Sequence, residues 1–236
     1  MDTAYRTAIV ACLSDERFAE YVRRSAGDDE RAPRLYRINI ALSAELFKGI
    51  SWLEIALRNA LNREMSIQFG PEWYDRHDIG LSLESLRLIS NAVRFLTDRR
   101  RPVTAGRVVA GLTLGFWVKL LGPGYKNRNE EFFWRPALYR AFPHVRSDPK
   151  IARFTRQSVF VPLNDTILEM RNRIAHHEPI YYRGELLRDF NEVIRVAGWI
   201  DPNLSHTIAS NTAFVDLYGK LTRDWRDRSY VVDPSF

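Results

Sequence analysis

The stretch RLYRINIALSAELFKGISWLEIALRNALNREMSIQ, from Arg34 to Gln68, decides the fold class. Apolar residues recur in it at Leu35, Ile38, Leu42, Leu46, Ile50, Leu53, Leu57, Leu61 and Met65. Steps of three and four residues draw one continuous apolar stripe along a helix. At ~1.5 Å per residue, one helix of this span is about 50 Å long. Gly49 and Ser51 mark where it is expected to kink or split, and Gly70-Pro71 closes it.

Outward from this helix the same period persists. Residues 3–24 have a rough helical spacing, and Ser14 is placed to cap a short helix whose first turn carries Asp15 and Glu16. A polar loop, 25–32, leads to Pro33 at the start of the long helix. Ser82 caps a predicted helix over 83–98, ended by Arg99-Arg100-Arg101-Pro102. Further helices are predicted over 105–121, 129–141 and 148–178. The last is interrupted near Pro162, restarts at Asn164 or Asp165, and stops at Pro179. Two more follow at about 184–198 and 203–224, and the tail 226–236 has no helical pattern. No alternating pattern is long enough for a strand. The expected fold is all-α, one domain over 1–236 of about eight helices, with 1–32 as an N-terminal helical extension.

Composition narrows the function. The chain has 236 residues, 45% hydrophobic and 27% charged, which excludes a fibrous or wholly disordered protein. A single cysteine, Cys12, excludes an intrachain disulfide and a cysteine-rich zinc site. The N-terminus lacks the apolar core of a signal peptide, and no apolar run reaches the ~18 residues of a membrane span. A soluble, cytoplasmic protein without membrane contact is expected. The net charge is +6, and of the 35 basic residues five are lysines and 30 arginines. A basic, arginine-rich surface suits a polyanion, because the planar guanidinium fork matches phosphate. Codon bias also swaps lysine for arginine, but it does not set the sign of the charge.

The residues with chemistry to offer lie in Leu168-Glu169-Met170-Arg171-Asn172-Arg173-Ile174-Ala175-His176-His177-Glu178-Pro179. Two imidazoles, two guanidiniums, an amide and a carboxylate fall within eight residues of a helix end. Asn172 and His176 are four apart and share a helical face, as do Arg173 and His177. Such a set supports metal-independent cleavage of RNA. An imidazole moves the proton of the 2′-hydroxyl or of the leaving oxygen, and a guanidinium holds the phosphate. The same residues also suit a helix end whose last carbonyls are capped by cationic side chains. No carboxylate or cysteine cluster offers a metal site, and no cofactor is expected.

Arg171-Asn172-x-x-x-His176 resembles the Arg-x(4–6)-His motif of the HEPN superfamily. The longer string Arg-Asn-Arg-Ile-Ala-His-His-Glu-Pro-Ile, from Arg171, resembles the signature of the bacterial Abi-like (abortive infection) proteins. Trp52-Leu-Glu-Ile-Ala-Leu-Arg-Asn-Ala60 and Leu114-Gly-Phe-Trp-Val-Lys-Leu120 also look like that family, so the resemblance covers roughly 34–185. It implies a HEPN-like helical core, 34–200, that forms a homodimer. It further implies a composite RNase site in which Arg171 clamps phosphate, Asn172 orients and His176 transfers protons, in the service of phage defence. The alternative is a non-catalytic RNA-binding or regulatory module that uses the same set for phosphate binding only. The RNA target, and any partner or non-coding RNA that silences the chain, are not encoded legibly.

Other residues carry two readings. His177 is a second acid–base group or a helix cap, and Glu178 pairs with Arg173 or Arg171. Glu54 pairs with Arg58 along the helix, forms a capping box with Ser51, or joins Arg58 and Asn59 in supporting the 171–177 motif. Phe116, Trp117, Phe132, Phe133 and Trp134 form core or a base-stacking platform. Arg99–Arg101 form a solvated turn or extend an RNA surface.

Overall fold

The computed structural model describes residues 7–8, 11–25 and 31–227. Most of the expected loop at 25–32, parts of the 3–24 segment and the tail beyond Asp227 lie outside these residues. Every regular element among the described residues is helical, so the fold is all-α. The α-helices are α1 (Asp15–Arg24), α2 (Arg31–Phe69), α3 (Leu83–Asp98), α4 (Ala105–Ala110), α5 (Leu114–Leu121), α6 (Arg156–Val161), α7 (Glu169–Ala175), α8 (Leu186–Ile200), α9 (Pro202–Asn211) and α10 (Phe214–Asp227). Among the described residues no helix is long and apolar enough to cross a membrane.

The stripe of the long helix is buried at Leu35, Leu42, Leu46, Ile50, Leu53, Leu57, Leu61 and Met65, while Ile38 is half-buried. α2 runs unbroken for 39 residues, so the helix does not split at Gly49 and Ser51. The glycine serves close packing instead. A Cβ at Gly49 would lie 3.3 Å from Ile208 and 3.4 Å from Phe190. An unbroken helix also removes the N-terminus that a Ser51–Glu54 capping box needs.

Several single helices of the sequence reading are split. The 105–121 segment breaks at Gly111, where a Cβ would come within 3.1 Å of Ala92 on α3. The 203–224 segment breaks between α9 and α10, where the Ala213 N–H donates to Glu45 at 2.7 Å. Over 129–141, Pro136 interrupts the ladder and leaves a π-helical turn, Glu130–Trp134, and a 3₁₀ turn, Leu138–Ala141. Residues 149–155 are not helical. The helix starts at Arg156, behind a capping box in which Thr155 and Ser158 satisfy each other's backbone N–H groups.

The chain divides into two compact units. One comprises the chain up to Lys48, Arg173–Arg188 and the chain from Thr212. The other comprises Gly49–Asn172 and Asp189–Asn211. In the first, Phe18, Tyr21 and Leu35 form a core with Tyr36 and Tyr181 packed on it. Tyr21 stacks on Tyr181 at 5.5 Å and meets Tyr36 edge-on at 5.5 Å. Asn39, 2% exposed, accepts the N–H groups of Ile180 at 2.7 Å and Tyr181 at 3.3 Å. An apolar side chain at 39 would strand both donors, at a cost of about 1–3 kcal/mol for each buried group. Asn39→Leu is therefore expected to lower the unfolding free energy by about 2–4 kcal/mol in urea denaturation.

The second unit is built on aromatics. Trp73, Phe116, Trp117, Phe133, Phe142 and Trp199 are fully buried. Trp73 donates its indole N–H to Asn62 at 3.0 Å, and Trp199 donates to Asp148 at 2.8 Å. Asp148 also accepts from Arg195 at 2.9 Å and from the Lys150 N–H at 2.9 Å. Burial raises the Asp148 carboxyl, but the Lys150 N–H, the Trp199 indole and Arg195 outweigh it and leave the group below its ordinary value. A depressed folded-state value means stabilisation that is complete above the unfolded value near ~4 and lost as pH falls through the folded one. Unfolding free energies measured from pH 6 to pH 2 should fall more steeply for the native chain than for Asp148→Asn.

Candidate functional site

The motif lies at the end of one helical run. α6 continues without a break through a π-helical segment, Pro162–Leu168, into α7. Pro162 supplies no N–H and crowds the carbonyl one turn earlier. The wider π register absorbs this, so the helix passes through the proline instead of stopping. Asn164 and Asp165, read as a restart, lie inside that segment, where the Asn164 Nδ2 donates to Asp165 at 2.7 Å. Pro162, Leu163, Ile167 and Met170 bury its inner face.

The run ends by backbone geometry. Ala175 is the last residue of α7, and His177 follows in the left-handed region at φ +57°. The His177 N–H donates to the Ile174 carbonyl at 3.0 Å and the Glu178 N–H to the Arg173 carbonyl at 2.9 Å. This pair of bonds is a Schellman stop, with His177 in the position that glycine usually fills and Pro179 two residues on. Arg173 reinforces the turn. Its Nε lies 3.5 Å from a Glu178 carboxylate oxygen, and its Nη2 donates to the Pro179 carbonyl at 3.4 Å. His177 thus acts at the helix end through its backbone, and Glu178 pairs with Arg173. Beyond the stop the chain is held by Asn39 and the tyrosine stack, where burial pushes the Tyr181 hydroxyl up to about 12. Arg24 covers the Tyr182 ring at 3.7 Å.

The remaining motif residues differ from these. Arg171 is half-buried, and Asn172 and His176 are exposed. Among the described residues none of the three makes a side-chain hydrogen bond or ion pair, and the Nε of Arg171 is buried without an acceptor. The motif therefore separates into Arg173 and Glu178, whose side chains brace the turn, and Arg171, Asn172, His176 and His177, whose side chains make no hydrogen bond or ion pair among the described residues. Spacing alone does not show that division.

Glu54, Arg58 and Asn59 lie on α2. The Glu54 carboxylate accepts the Leu114 N–H at 3.0 Å and so caps α5, whose own N-cap residue Thr113 makes no side-chain cap bond. Arg58 contacts its neighbour Asn59 at 3.4 Å, and no Glu54–Arg58 pair forms. Phe116, Trp117, Phe133 and Trp134 are buried core, while Phe132 is half-buried beneath Arg128. Arg99–Arg101 are exposed and close α3 with a second Schellman turn, in which Arg100 has φ +51°. Among the described residues no group of three or more His, Cys, Asp or Glu is placed to hold a metal ion. Arg156 is the polar residue that sequence reading passed over. Buried at 8% exposure, it donates to Glu130, the Leu121 carbonyl and Asn127 at 3.1, 2.7 and 2.7 Å, and so pins the loop after α5. One arginine among 30 carries no signal of such a role.

No protein-family model, curated protein or solved structure matches the chain.

Because His177 occupies a left-handed position, the stop tolerates glycine but resists branching at Cβ. His177→Gly is expected to be at least as stable as the native chain. His177→Val should be less stable by about 1–2 kcal/mol, as read from thermal or urea unfolding.

Proposed function

We propose that the chain is a metal-independent endoribonuclease of the HEPN type, similar in role to the Abi-like phage-defence proteins. The observation that carries this reading is the division within the motif. Arg173, Glu178 and the His177 backbone close the helix, whereas Arg171, Asn172 and His176 make no side-chain hydrogen bond or ion pair among the described residues. These three are the residues matched to Arg-Asn-x-x-x-His. A structural role alone would call for partners, above all for the half-buried guanidinium.

In the proposed reaction Arg171 holds the phosphodiester and offsets the charge that grows on its oxygens. A neutral imidazole takes the proton from the ribose 2′-hydroxyl, and that oxygen attacks phosphorus. The bond from phosphorus to the 5′-oxygen breaks as a second acid delivers a proton to the leaving oxygen. The products are a 2′,3′-cyclic phosphate and a 5′-hydroxyl. One chain supplies one His176, while the reaction uses an acceptor and a donor. A two-fold dimer supplies both, with Asn172 orienting the groups.

The test is cleavage of single-stranded RNA by the purified chain in EDTA. Cleavage is expected to persist there. His176→Ala and Arg171→Ala should each lose at least about a hundredfold in rate with helical circular dichroism unchanged. Arg171→Lys should also be impaired, since lysine lacks the bidentate fork. Full activity in the double Arg171→Ala/His176→Ala chain refutes the reading. RNA binding without cleavage, weakening steeply with salt, would instead support the non-catalytic module.

A further inference from the structure

Within the second unit, a cleft of about 360 Å³ lies against the helical run that leads into the motif. That volume is within the range of small-ligand sites. Phe160, Asn164 and Leu168 of the run form one wall, and Phe133 and the α5 residues Gly115 and Lys119 face them. The loop that closes one end is held from behind by Arg156, through Leu121, Asn127 and Glu130. It is held from the cleft side by Asn129, whose Nδ2 donates to the Lys119 and Leu120 carbonyls at 3.2 and 3.3 Å. The site is thus pre-formed.

Its chemistry is selective. Phe160, half-buried, supplies an aromatic face, and the fully buried Phe133 backs the cleft. Asn129 shares its amide nitrogen between two carbonyls and Asn164 commits one of its two amide N–H groups to Asp165, and among the described residues no donor reaches either amide oxygen. Two amide oxygens therefore remain as acceptors in a cleft whose other polar lining, Ser82, Ser85 and Glu84, is paired within the protein. The cation at the rim, Lys119, is paired with Glu84, so a free phosphate would meet a carboxylate beside every ammonium. A flat, neutral solute with N–H donors fits this surface better than an anion does. Leu168 precedes Asn172 by four residues on the same run, a rise of about 6 Å.

We propose that the cleft binds a nucleobase bearing an exocyclic amino group, the base of a single-stranded RNA whose phosphate lies at Arg171. This deepens the ribonuclease reading and rests on it for the identity of the ligand. Single-stranded RNA is read in this way, by stacking on aromatic side chains and hydrogen bonds to the base edge. The amide oxygens of Asn129 and Asn164 accept the amino protons, which adenine and cytosine offer and uracil lacks.

The test titrates adenosine, cytidine and uridine into the full-length chain and reads binding by calorimetry. Adenosine or cytidine is expected to bind at least about tenfold more tightly than uridine. Gly115→Met fills the cleft. The nearest atoms to a Cβ at Gly115 are 3.8 Å away, and replacing a helical glycine favours folding, so the variant should melt no lower than the native chain. It should bind nucleosides at least about tenfold more weakly, and Asn164→Leu should erase the preference over uridine. Equal binding by the native chain and Gly115→Met overturns the proposal, as does uridine binding as tightly as the others or no nucleoside binding. These outcomes are independent of cleavage. Nucleoside binding by a chain that cuts no RNA refutes the ribonuclease reading alone. RNA cleavage with base preference unchanged in Gly115→Met refutes the cleft alone.

Discussion

Backbone N–H groups at the start of a segment need acceptors, and in this chain the long helix α2 supplies several from its own side chains. Asn39 takes two donors from the segment after the motif, Glu45 takes the one before α10, and Glu54 takes the first of α5. The three sit beside the apolar stripe, so the surface that buries leucines also fixes where other segments begin. Helix starts carry N–H groups without an intrahelical partner, and covering them with apolar residues alone would cost more than the burial returns. This need explains polar residues along a helix otherwise shaped for a core, and it accounts for Glu54 without any role in chemistry.

The same principle organises the motif. A helix that ends against folded protein needs its last carbonyls satisfied, and α7 does this with backbone bonds from His177 and Glu178. Because the backbone completes the stop, neighbouring polar side chains are released from it. Arg173 and Glu178 brace the turn, and the segment beyond is anchored by Asn39 and the stacked tyrosines. Among the described residues Arg171, Asn172 and His176 make no side-chain hydrogen bond or ion pair.

The aromatic residues show where a local reading reaches its limit. Phe116, Trp117 and Phe133 are equally good as core or as stacking platforms, and their type cannot choose between the two. Burial chooses core for them, whereas the half-buried Phe160 borders a cleft. The π register after Pro162 is of the same kind. A proline predicts trouble in a helix, but the packing of Leu163 and Ile167 decides that the helix widens rather than ends.

The sequence by itself determined the helical class, the extent of α2, the caps at Ser14 and Ser82, and the place of the motif at a helix end. Those features follow from residue spacing and from bonds between near neighbours, which a linear chain displays. Only the tertiary structure decided that Gly49 is a packing contact and not a break, that Glu54 caps α5, and that Arg156 pins the chain 35 residues earlier. It also decided which motif residues are structurally occupied. Each of those outcomes depends on the partner that a side chain or backbone group meets, such as an N–H 60 residues away, and nothing in local spacing selects it.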